Sequence, residues 1–273
     1  MGIVYDFNLL LIGIAVIANG ILGTLVFLSD RGSITNKTFF SLNLFTICWG
    51  IFNYLSNQSG SPEIILWFIR IAIFFAVWNS LSLFQFAYVF PNKEVALPHW
   101  YKLIVIPVVT VTAILTLTPL VFSEVVDFYT NGQVSEVSKG PGIPVFGLVV
   151  MGLVFGSILY FVHKMSHAAI EEKIKFKAMI VGIAASFSLI IFFNLILPAF
   201  FNNAKFIALG PIFLLPFIIT TFYAITKHQL FNIKVIATEL LVFVIWIIIL
   251  IEVLTKDSWG ERILEGTILL FVI

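Results

Sequence analysis

Charge is what this chain has least of. Asp, Glu, Lys and Arg make up only 11% of its 273 residues, whereas a soluble domain carries about a quarter. A solvated globular fold is therefore excluded. Cysteine is nearly absent too: the single Cys48 lies inside an apolar run, which rules out an intrachain disulfide and argues against a thiolate metal site. A net charge of +1 without a basic cluster offers no surface to nucleic acid. The N-terminal residues include Asp6 but no Lys or Arg. The first apolar run is also longer than the core of a secretion signal, so it reads as a retained anchor. Short segments of alternating hydrophobicity, the mark of a membrane β-barrel, are missing as well.

What remains is hydrophobic. Apolar residues make up 60% of the chain and fall in runs of about twenty, the length that spans a hydrocarbon core. Runs occur at about Phe7–Ser29, Thr38–Ser56, Ile64–Phe90, Tyr101–Phe122, Ile143–His163, Lys177–Phe200 and Phe206–Ile225, with an eighth at Thr238–Leu254. A ninth begins at Arg262 and reaches Ile273. About a dozen helical residues rise only ~18 Å, so this last helix is expected to be truncated and the chain to be a fragment. The pattern predicts an all-α membrane protein, a polytopic bundle of seven transmembrane helices plus a C-terminal helical hairpin. Residues 1–226 form the seven-helix domain. Residues 227–273 hold an interfacial segment, the eighth span and the start of the ninth.

With the N-terminus outside, the inside loops hold ten Lys and Arg residues against four outside, which sets that orientation by the positive-inside rule. Val125–Ser138 alternates around Asn131-Gly132, a strong hairpin signal, so a small extracytoplasmic β-hairpin is expected. Glu171 stands four residues before Lys175, spacing that supports helices projecting beyond the membrane.

One stretch is specific. From Gly210-Pro211 the chain reads Gly-Pro-Ile-Phe-Leu-Leu-Pro-Phe, and from Tyr223 it reads Tyr-Ala-Ile-Thr-Lys-His-Gln-Leu-Phe-Asn-Ile-Lys-Val-Ile. This resembles the N-terminal seven-transmembrane sensory region of bacterial sensor histidine kinases, in which the seventh helix ends in Tyr-Ala-Ile-x-Lys-His-Arg-Leu-Phe-Asp-Ile-Lys-Val-Ile. Gln229 stands where Arg is usual and Asn232 where Asp is usual; both changes remove a charge. The resemblance implies an input domain of a two-component system in the bacterial inner membrane. It implies a homodimer that relays a stimulus to a downstream cytoplasmic kinase domain and its response regulator. On this reading Tyr223, Lys227, His228, Leu230, Phe231, Asn232 and Lys234 couple the bundle to the downstream part of the polypeptide. These residues themselves contain no catalytic site and imply no cofactor.

Where a stimulus could bind is suggested by polar residues within the apolar runs. Arg70 lies about 9 Å along the third run, and an intramembrane charge marks a functional position. Paired with Glu252 or Asp6, and beside Asn53, Asn79 and Asn194, it could line an outward-facing pocket for an unknown ligand. Alternatively Arg70 snorkels to the interface and the asparagines tie helices together. His163 and His167 are four apart, a spacing suited to a metal, but no third ligand accompanies them, and titratable interface residues are the plainer reading. Trp67, Trp100 and Trp259 sit near run ends, where they would meet membrane lipids as belt anchors, while Trp49 and Trp78 lie deeper. A stand-alone transporter or receptor for a small molecule or lipid is the rival function. It would show paired broken helices in matching halves, and Pro107, Pro119 and Pro198 do not supply them.

Overall fold

The computed structural model describes residues 7–58, 61–128, 134–197, 201, 203, 206–228 and 246. Among them, five helices are long and apolar enough to cross a membrane: Leu11–Ser29, Ile34–Leu55, Pro62–Val89, Ile143–His167 and Ile170–Asn194. Two shorter apolar helices, Tyr101–Thr116 and Leu209–Ile225, accompany them. The expected helical membrane protein is thus found, with five full-length spans rather than seven among the described residues.

Helix α1 (Phe7–Ser29) turns into α2 (Ile34–Leu55) through a short polar lock. The Asp30 carboxylate accepts hydrogen bonds from the N–H groups of Gly32 (3.1 Å) and Ser33 (3.2 Å), an Asx turn. Ser33 then caps α2, its Oγ accepting from Asn36 N. Asn36 reaches back to donate to Val26 O at 2.7 Å, filling a carbonyl that the end of α1 leaves open. Helix α3 (Pro62–Val89) begins with a Ser61 cap and a proline in its first turn.

The fourth apolar run is shorter as a helix than its hydropathy predicts. A π turn at Tyr101–Val105 leads into α4 (Ile106–Thr116). The chain then tightens through turns at Leu117 and Thr118, and Pro119 has no N–H with which to continue the helix. Phe122, expected to end the span, instead begins strand β1 (Phe122–Phe128), which pairs antiparallel with β2 (Val134–Lys139). The hairpin is therefore present, and its Asn131-Gly132 tip lies outside the described residues. At its base Gly140 donates to Val121 O at 2.9 Å. A Cβ there would stand 2.1 Å from Leu120 O, so only glycine allows the two backbones to pass.

Helices α5 (Ile143–His167) and α6 (Ile170–Ile191) are separated only by Ala168 and Ala169. The run of lysines between the fifth and sixth spans is thus carried on helix ends. After α6 come a π turn at Phe192–Ile196, a 3-10 segment at Ile207–Leu214 and helix α7 (Leu215–His228). The seventh run, expected as one helix, begins as 3-10 because Pro211 and Pro216 withhold two N–H donors within six residues.

The helices form a ring. α1 packs on α2, α2 on α3, α3 on α5, α5 on α6, α6 on α7, and α7 with its 3-10 lead-in returns to α1 and α2. α4 lies outside this ring against α3 and α5. Because successive helices alternate in direction, one end of the bundle carries the hairpin. The other gathers Lys37, Lys93, Lys164, Lys173, Lys175 and Lys177. Near the lysine-rich end, Phe86, Phe90, Phe161 and Phe176 pack in tilted and edge-on pairs with centroids 5.3–5.8 Å apart. Such aromatic geometry contributes beyond the buried area alone.

Candidate functional site

Two of the polar residues singled out in the sequence, Asn79 and Arg70, lie on opposite faces of α3. Asn79 faces α2, donating from Nδ2 to Thr46 Oγ1 at 2.9 Å with both residues buried. Arg70 is nine residues earlier, half a turn around the helix at 100° per residue, and faces the hairpin. Its Nε and Nη2 both donate to Phe122 O, at 3.1 and 2.7 Å, and Nη2 also lies 3.4 Å from Ser123 O. Its guanidinium carbon sits 5.4 Å from the centre of the Trp67 ring, within cation–π range. Arg70 is only 6% exposed and has no carboxylate partner among the described residues. Asp6 and Glu252, the partners expected from the sequence, lie outside those residues.

The asparagines meet along α2 instead. Moving from Thr46 toward the hairpin end, the next turn presents buried Trp49 and Gly50, and the one after presents Asn53. Asn53 Nδ2 donates to Ile207 O at 2.7 Å, holding the first residue of the 3-10 segment. A Cβ on Gly210 would lie 2.8 Å from Asn194 Nδ2 and 2.9 Å from the Trp49 ring. Asn194, Trp49 and the 3-10 backbone are therefore in direct apposition. Asn194 lies on the π turn that interrupts the end of α6, a feature often found at functional positions. Its Oδ1 is buried with no hydrogen-bond partner among the described residues. Three of the five candidate positions thus share one seam of α2, and Arg70 stands apart from it.

At the lysine-rich end a second, half-buried cation makes contacts that hydropathy does not reveal. Lys164 of α5 points its ammonium at the end of α3, donating to the carbonyls of Ala87 (3.0 Å), Tyr88 and Phe90 (2.6 Å). Such carbonyls have no partner within their own helix, and a cation there also complements the negative end of the helix dipole. Just beyond, Thr35 Oγ1 donates to Asn92 O at 2.6 Å and Ile34 N to Lys93 O at 2.8 Å. Lys93 pairs with Asp30 at 2.7 Å. That hydrogen bond, together with the backbone donors of Gly32 and Ser33, holds the Asp30 carboxyl below the usual carboxylate range, and it raises the Lys93 ammonium.

The coupling residues are only partly in view. Tyr223 lies on α7 and is 46% exposed. Lys227 and His228 form the last residues of that helix. Leu230, Phe231, Asn232 and Lys234 lie outside the described residues. Higher up, α7 is closely seated on α6. The Phe217 N–H, at the junction with the 3-10 segment, donates to the buried Ser186 Oγ at 3.0 Å. A Cβ on Gly182 would fall 2.0 Å from Thr220 Oγ1. The His163 and His167 rings lie tilted to each other with centroids 4.7 Å apart, and His167 Nδ1 lies 2.9 Å from His163 O. Among the described residues no group of three or more His, Cys, Asp or Glu is placed to hold a metal ion.

The geometry among the described residues is that of a helical membrane bundle with polar helix-to-helix ties. A family model described as the N-terminal 7TM region of histidine kinase matches residues 11–234, most of the chain. Searches of curated proteins and of solved structures returned no match. The chain belongs to the family of N-terminal 7TM regions of histidine kinases.

Proposed function

We propose that this chain is the membrane-embedded input domain of a two-component sensor histidine kinase. Residues 1–226 receive a stimulus in the outer half of the membrane or beyond it. The segment from 227 onward relays it to a cytoplasmic kinase domain. The observation that carries this reading is the family match across residues 11–234, which ends within the segment after α7.

On this reading the chain crosses the bacterial inner membrane with its N-terminus and hairpin outside. The helices Tyr101–Thr116 and Leu209–Ile225 complete seven spans. At 16 residues the first rises about 24 Å, short of a ~30 Å core, a mismatch that tilting neighbours and local thinning accommodate. Residues 227–273 supply the interfacial segment and the further hairpin, and two copies form the working dimer. Relay needs a stimulus that binds two arrangements of the bundle unequally. The seam of Asn53, Asn79 and Asn194 is where we place that difference. Arg70 fixes the hairpin against the other face of α3.

The test is phosphohistidine formation. Inside-out bacterial membrane vesicles carrying the polypeptide that contains this chain are incubated with radiolabelled ATP. The expected result is acid-labile, base-stable phosphate on that polypeptide. A polypeptide that takes up no phosphate in cis contradicts the reading and favours a stand-alone receptor or transporter.

A further inference from the structure

At the lysine-rich end the surface between α6 and α7 forms an open groove of about 340 Å³. Its walls are the apolar side chains of Ile174 and Val181 from α6 and Ile219 from α7, with Lys177 and Tyr223 toward the end of the bundle and Thr220 below. Thr220 presents little polarity, because its hydroxyl is already bonded to Pro216 O (2.9 Å) and Phe217 O (3.1 Å) within its own helix. The close approach of α6 and α7 at Gly182 closes the floor. Among the described residues the walls remain open sideways: Ile174, Val181 and Ile219 are 45%, 50% and 63% exposed. In a bilayer such a groove meets hydrocarbon, not water.

The charge at its mouth selects among lipids. Lys173 precedes Lys177 by four residues and shares its face of α6, whereas Glu171 and Glu172 fall about 120–140° around the helix. Both lysines are exposed, and their long side chains can lie along the apolar wall while the ammonium groups stay at the interface. We infer that this groove seats one acyl chain of an anionic phospholipid, with Lys177 and Lys173 holding its phosphate. The apolar wall and the paired cations are complementary to the two halves of one molecule. The site goes beyond the input-domain reading and does not depend on it. A lipid seated here touches both α6 and the helix that leads to residue 227.

The test titrates the purified chain in detergent with dioleoyl phosphatidylglycerol or dioleoyl phosphatidylcholine and reads bound lipid by native mass spectrometry. Phosphatidylglycerol should bind at least ten-fold more tightly. The double variant Lys173→Gln/Lys177→Gln should lose about thirty-fold of that affinity, taking roughly 1 kcal/mol per basic residue at an anionic surface. Lys177→Arg should retain it. Val181→Trp, which fills the groove without changing charge, should weaken both lipids, and unchanged far-ultraviolet circular dichroism verifies that each variant is folded. Equal binding of the two lipids, or a double Gln variant that still prefers phosphatidylglycerol, would overturn the proposal. So would displacement of the lipid by millimolar inorganic phosphate, which would make this a site for soluble anions.

Discussion

Arg70, which is buried, and Lys164, which is half-buried, are two cations at opposite ends of the bundle, and neither is neutralised by a carboxylate among the described residues. Each is satisfied by backbone carbonyls where regular structure ends: Arg70 by the first residues of the hairpin, Lys164 by the last turn of α3. The difference between them follows from their chemistry. The rigid guanidinium places two N–H groups on a single oxygen and lays its face near Trp67. The compact ammonium spreads three donors over three carbonyls. The arginine therefore fixes one strand's position, and the lysine closes one helix end. Chain termini of regular elements are ready acceptors inside a membrane protein, where water does not complete them.

Substitutions separate the two cations in graded steps. Lys164→Met strands three carbonyls at once. Hydrogen bonds to charged groups contribute about 1.5–3 kcal/mol each, so even with partial rescue by solvent a loss of about 3 kcal/mol is expected. It should be seen as a lower unfolding temperature in detergent. Arg70→Leu should cost somewhat less, about 2 kcal/mol, and the loss should be local: backbone amides of 122–128 and 134–139 should exchange with deuterium faster while the helices keep their protection. Arg70→Lys preserves the charge but not the two-pronged contact, so it should show the same exchange pattern at roughly half the cost.

The smallest effect is expected at the exposed Asp30–Lys93 pair. Asp30 has a lowered carboxyl, so its contribution is present above the ordinary carboxylate pKa of about 4 and fades as pH falls through the lowered value. Lys93 is raised, so its contribution holds through neutrality and is lost only as pH rises past the ordinary lysine range, above about 10. Asp30→Asn should remove the acid-side dependence. An acid-side slope of unchanged size would show that this pair contributes nothing.

Much of the architecture was legible because bilayer length and apolar runs speak directly to each other. The starts of α1 and α5 and the hairpin between the fourth and fifth runs follow from hydropathy and from Asn131-Gly132. Helix ends were less legible. Thr116 ends α4 because Leu117–Val121 fold into turns around Pro119, yet those residues are as apolar as the helix before them. The 3-10 start of the seventh run follows from Pro211 and Pro216, a signal present in the sequence but hidden by its hydropathy. The cation contacts could not be read at all. A search for the partner of Arg70 looks for acidic side chains, but its acceptor is a peptide carbonyl 52 residues away, a group every residue carries. The same holds for Lys164, whose lysine reads as one more positive charge near an inside loop.

On the proposed function, the bundle acts on the downstream kinase domain through α7 as it sits on α6. Gly182 and Gly147 give a matched pair for testing that contact. A side chain at Gly182 must displace Thr220 and the backbone of Phe217, whereas one at Gly147 meets nothing within 4 Å. The decisive measurement is autophosphorylation in inside-out vesicles of the polypeptide carrying Gly182→Leu or Gly147→Leu, at equal folded amounts. Transfer through α6 and α7 predicts that Gly182→Leu shifts the phosphohistidine level several-fold while Gly147→Leu leaves it unchanged. Equal levels in both variants and in the parent would contradict it.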